Sequence, residues 1–89
     1  MNNYVEKISN KIEQISDNIY DYNIKVMFNN IDSLILEISN CINLEGISEG
    51  KINVFNTILE NINISIRNKD YQLISDILNF QLKDFMKNV

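Results

Sequence analysis

Gly46-Ile47-Ser48-Glu49-Gly50 holds the only two glycines of an 89-residue chain that has no proline. Glycine takes the left-handed backbone that ends a helix, and proline breaks one, so this stretch is the clearest turn signal in the sequence. Leu44-Glu45-Gly46-Ile47 has the form of a helix C-terminus, with Gly46 left-handed and Ile47 folding back on the last turn. Ser48 is placed as the N-cap of the next helix, although Lys51 stands where a reciprocal capping box would carry Glu or Gln. The spacing therefore predicts a tight turn at 46–50 between two helical halves.

Upstream of that turn, Ile24, Phe28, Ile31, Ile35, Ile38 and Ile42 recur at helical spacing, and Met27, Leu34 and Cys41 widen the stripe. Before them, Val5, Ile8, Ile12, Ile15, Ile19, Tyr22 and Val26 step by three and four, with Glu6, Lys7, Asn10, Glu13, Gln14 and Asp17 between them. The two stripes are out of phase near Tyr20-Asp21-Tyr22-Asn23, which is read as a short turn in preference to one long helix with a slipped register. Ile at both seam positions favours three- or four-helix packing.

Downstream, Ile52, Phe55, Leu59, Ile62 and Ile66, flanked by Val54 and Ile58, make a third amphipathic helix that ends near Arg67. Asn68-Lys69-Asp70 forms the next turn, with Asp70 as a cap. The last helix carries two apolar rows, Tyr71, Ile74, Leu78, Leu82 and Phe85 in one and Leu73, Ile77 and Phe80 in the other. Two rows imply burial on two sides. The expected fold is all-α: a single domain over 1–89, an up-and-down bundle of three to four helices at about 3–20, 23–44, 51–67 and 70–88, completed by dimerisation. The candidate interface is Ile74, Leu78, Leu82, Phe85, Leu73, Ile77 and Phe80.

Composition narrows the function more by exclusion than by motif. Hydrophobic residues make up 45% and charged residues 22%, with net charge -4, which describes a chain that folds. Sixteen asparagines and many isoleucines are poor helix formers, so packing has to hold the helices. The acidic excess lies before the turn, and no cluster of Lys and Arg marks a nucleic-acid surface. There is no histidine, the usual proton carrier near neutral pH and the commonest transition-metal ligand. The single Cys41 lies beside Ile38 and Ile42 and is read as packed, not reactive. Glu13, Asp17 and Asp21 form a straight row, which cannot surround a cation. Tyr4, Tyr20, Tyr22 and Tyr71 are read as core or interface edges. The first residues lack the pattern of a signal peptide and no apolar run approaches the roughly 20 residues of a membrane span, so a cytoplasmic location is expected.

Asn68-Lys69-Asp70-Tyr71-Gln72-Leu73-Ile74-Ser75-Asp76-Ile77-Leu78-Asn79-Phe80-Gln81-Leu82 resembles the terminal helix of helical proteins of clostridia and bacilli, some linked with flagellar or surface-glycosylation loci. The likeness rests on Asp70-Tyr71, Leu73, Asp76, Leu78 and Leu82, and departs where Asn79-Phe80 stands in place of an acidic-aromatic step. What the resemblance implies is a flagellum-associated accessory role. The residues themselves point to a non-enzymatic interaction or assembly module, adaptor or chaperone-like, without cofactor or metal, forming a homo-oligomer and binding a protein partner. The alternative is a small DNA-binding or toxin-neutralising regulator, against which the charge balance argues.

Overall fold

Four helices, α1 (Asn2–Tyr20), α2 (Ile24–Glu45), α3 (Glu49–Arg67) and α4 (71–87), make up this computed structural model, which describes the backbone of residues 2–88 and the side chains of 5–42 and 46–88. No strand occurs among the described residues, so the chain is all-α as expected. It divides into two compact units, Met1–Gly46 and Ile47–Val89, parted at the glycine-bearing turn. Each is a helical hairpin.

In the first unit α1 packs on α2. The buried face of α1 is Ile8, Ile12 and Ile15, with Val5 and Ile19 half-buried, as its seam predicts. Tyr22 and Val26 are exposed instead, because the helix ends at Tyr20 and the stripe cannot run on through the turn. In α2 the buried line is Met27, Ile31, Leu34, Ile38 and Cys41. These follow steps of four and three, so the residues read as a flank of the stripe are its centre, while Ile24, Phe28 and Ile35 are half-buried. Burying each such aliphatic side chain contributes about 1.5–3 kcal/mol. At the edge of the hairpin Asn30 Nδ2 donates to Asn18 Oδ1 (2.7 Å), and Lys7 Nζ lies 3.3 Å from Glu37 Oε1.

The turn at 21–23 closes without glycine. Tyr22 takes φ 58°, and the amides of Tyr22 and Asn23 donate to the carbonyls of Ile19 and Asn18. That pair of bonds is the Schellman arrangement, which satisfies helix-end carbonyls around a left-handed residue. At the other end of α2, Gly46 adopts φ 65°, ψ 46°, the left-handed cap read from its sequence.

The second unit begins earlier than expected. Ser48 caps α3 through its Oγ, which accepts from the Lys51 amide (3.4 Å), and Gly50 falls inside the first helical turn. Phe55, Ile58, Ile62 and Ser65 are the buried line of α3, while Leu59 and Ile66 are half-buried. A Schellman turn ends α3 as well, with Lys69 at φ 55° and the amides of Lys69 and Asp70 donating to Ile66 and Ser65 carbonyls. Asp70 Oδ1 accepts from the Leu73 amide (3.1 Å), so the cap on α4 is the one expected.

Helix α4 departs from a regular α-helix. Tyr71–Asp76 is α-helical, Ile77–Leu82 is π-helical and Lys83–Lys87 is α-helical again. The Lys83 amide donates to the Leu78 carbonyl, five residues back, as a π turn requires.

Candidate functional site

The seven candidate interface residues all lie on α4, and the packing of α4 against α3 sorts them. Ile74, Leu78, Leu82, Phe85 and Ile77 are buried within the chain, joined there by Met86. The Phe85 ring stacks on Phe55 of α3 at 5.7 Å with planes 22° apart, an offset aromatic pair. Leu73 and Phe80 are the two that remain at the surface, 42% and 72% exposed. They are seven residues apart, about two helical turns.

Phe80 owes its position to the π segment. A π turn adds one residue to the helix, so Ile77 and Leu78 at the start of the segment and Leu82 at its end all reach the core while Asn79, Phe80 and Gln81 between them face outward. The bulge is held by polar side chains. Asn79 Nδ2 donates to the Ser75 carbonyl (2.9 Å) and to Ser75 Oγ (3.3 Å), and Asn61 Nδ2 of α3 donates to Gln81 Oε1 (3.4 Å). At the far end Lys51 Nζ donates to the Asn88 carbonyl, tying the start of α3 to the end of α4.

One concave feature of about 510 Å³ lies along α3, lined by Asn56, Leu59, Glu60, Asn63, Ile66 and Arg67. Its walls come from a single helix, and Glu60 and Arg67 are its only charged groups. That is a shallow groove without the convergent polar groups that mark a catalytic cleft.

Cys41 is fully buried in the α2 line. Glu13, Asp17 and Asp21 are exposed, and no cluster of His, Cys, Asp or Glu able to hold a metal occurs among the described residues. Tyr20 and Tyr22 are exposed and Tyr71 is half-buried, while Tyr4 lies outside the residues whose side chains are described. Among the described residues no helix is long and apolar enough to cross a membrane.

Two features were not foreseen from the residues. Ser65 is completely buried in the core line of α3, its Oγ donating to the Asn61 carbonyl (2.9 Å) one turn back. The π segment likewise had no glycine, proline or other local signal to announce it. A family model described as a domain of unknown function (DUF8042) matches residues 1–89, and the chain belongs to that family. No curated protein and no solved structure matches it.

Proposed function

We propose that this DUF8042 chain is a non-enzymatic helical interaction module that forms a homodimer, with Phe80 and Leu73 of α4 at the contact. The observation that carries the reading is Phe80, a large aromatic side chain left 72% exposed on a helix whose neighbouring positions 77, 78 and 82 are buried. Exposed aromatic side chains of this kind supply much of the binding energy at protein interfaces. The lack of histidine, and a groove along α3 whose lining carries Glu60 as its one carboxylate, support a binding role over a catalytic one. A cytoplasmic partner protein, in the flagellum-associated setting that residues 68–82 imply by resemblance, is the further element of this reading.

Mass in solution across a concentration series tests it. The native chain is expected to run as a dimer at about 100 μM, in the affinity range of modest interfaces. Phe80→Glu and Leu73→Glu are expected to shift it to monomer while the melting temperature of the monomer stays unchanged, since neither side chain belongs to the core. A native chain that remains monomeric throughout sinks the homodimer.

A further inference from the structure

The geometry points to two copies of one helical hairpin in tandem, repeated at a spacing of 47 residues, with the π segment marking where the second copy holds one extra residue. Helix α1 runs Asn2–Tyr20 and α3 runs Glu49–Arg67, so both ends of one fall 47 positions after the ends of the other. The turns repeat at the same offset. Tyr22 at φ 58° corresponds to Lys69 at φ 55°, and the residues after them, Asn23 and Asp70, have φ/ψ of -91°/73° and -93°/77°. The hydrogen bonds coincide too: Tyr22 to Ile19 and Asn23 to Asn18 in one turn, Lys69 to Ile66 and Asp70 to Ser65 in the other. Then Met27 donates to Asn23 just as Ile74 donates to Asp70.

The apolar positions obey the same spacing. Val5, Ile8, Ile12, Ile15 and Ile19 align with Ile52, Phe55, Leu59, Ile62 and Ile66, and Met27 and Ile31 align with Ile74 and Leu78. Beyond Leu78 the offset of 47 sets buried Leu34 against exposed Gln81 and buried Cys41 against exposed Asn88, although it still pairs Ile38 with Phe85. An offset of 48 restores the match, pairing buried Leu34 and Ile38 with buried Leu82 and Met86. The single extra residue therefore enters between Leu78 and Leu82, which is where the helix becomes π. Two left-handed non-glycine residues in equivalent turns, and a π turn at the one place where the register slips, are independent of each other. Side-chain likeness alone would not reveal the repeat, since few aligned pairs such as Glu13 and Glu60 are identical.

In this arrangement the π segment is a register adapter. It takes up one residue locally, so the helix on either side keeps its core face. Deleting one residue from it restores an ordinary α-helix: without Phe80, Lys83 stands four residues after Leu78, and the same amide and carbonyl make an α-helical bond. Deleting a residue from the regular helix α2 has no such outlet. Loss of Ser33, an exposed residue at the corresponding height, turns Leu34, Ile38 and Cys41 by about 100° out of the core.

The test is a pair of single-residue deletions in the full chain, ΔPhe80 and ΔSer33, followed by thermal unfolding and by NMR of the backbone of residues 71–87. ΔPhe80 is expected to unfold cooperatively within about 5 °C of the Phe80→Glu chain, which lacks the same surface contact, and ΔSer33 to lose more than about 15 °C or the transition altogether. The helix of ΔPhe80 is expected to be α throughout. A ΔPhe80 chain that melts as low as ΔSer33, that keeps a π turn, or that is matched in stability by ΔSer33 overturns the inference.

Discussion

Backbone conformation at single residues sets how the helices of this chain end. Gly46, Tyr22 and Lys69 all adopt the left-handed backbone, at φ 65°, 58° and 55°, yet only one of them is glycine. An L-residue there costs roughly 1–2 kcal/mol relative to a right-handed conformation. A Cβ on Gly46 would meet nothing within 4 Å, so the backbone term stands alone in Gly46→Ala. That substitution is expected to lower stability by about 1 kcal/mol, and Lys69→Gly to raise it by a similar amount. Chemical denaturation of the two variants, read as midpoint shifts of opposite sign at unchanged slope, checks the pair. Gly46 was legible as a cap because glycine announces this conformation. Tyr22 and Lys69 carry no such mark, since it is the Schellman hydrogen bonds around them that hold the left-handed state.

At the level of the helix, the apolar stripes located the elements and, in α1, the buried line, but not the line of closest packing within α2, α3 and α4. In α2 the stripe from Ile24 to Ile42 and its flank of Met27, Leu34 and Cys41 are equally apolar, and packing buries the whole flank together with Ile31, Ile38 and Ile42 while leaving Ile24, Phe28 and Ile35 half-buried. In α4 the two rows read from the sequence are largely one row with a phase slip: Ile74 faces the core before the π segment, Ile77, Leu78 and Leu82 within it, and Phe85 and Met86 after it. A constant period of 3.6 residues carried across the slip splits that face in two. In α3 the core line ends on Ser65, whose hydroxyl is bonded to its own helix through the Asn61 carbonyl. Ser65→Ala therefore removes no partner that another group depends on, and is expected to change stability by less than about 0.5 kcal/mol. Ile62→Ala, one turn earlier on the same line, opens a cavity and is expected to cost about 2–5 kcal/mol. Equilibrium unfolding in urea distinguishes the two; a Ser65→Ala loss as large as that of Ile62→Ala is contrary to this assignment.

For the molecule as a whole, charge decides which partners are compatible. The net charge is -4, and the first unit carries the acidic excess. Binding to nucleic acid rests on clustered cations that displace condensed counterions, and the eight Lys and Arg are spread along the chain among twelve acidic residues. Gel retardation with duplex DNA at low salt, the condition that most favours such binding, is expected to show no complex at micromolar protein. A retarded band that disappears as salt is raised would restore the regulator reading.

The sequence by itself determined the fold class, a count of three to four helices, their ends to within about two residues and the caps at Gly46, Ser48 and Asp70. These depend on helical periodicity and on the hydrogen-bonding preferences of residues next to one another in the chain. Only the tertiary structure decided which apolar side chains are enclosed, that Ser65 is in the core while Phe80 is at the surface, and that α4 takes up an extra residue as a π turn. Those outcomes depend on the register of one helix against its neighbour. An extra residue costs helix geometry locally but keeps Ile74, Leu78, Leu82 and Met86 on one buried face, and only the packing partner can set that balance.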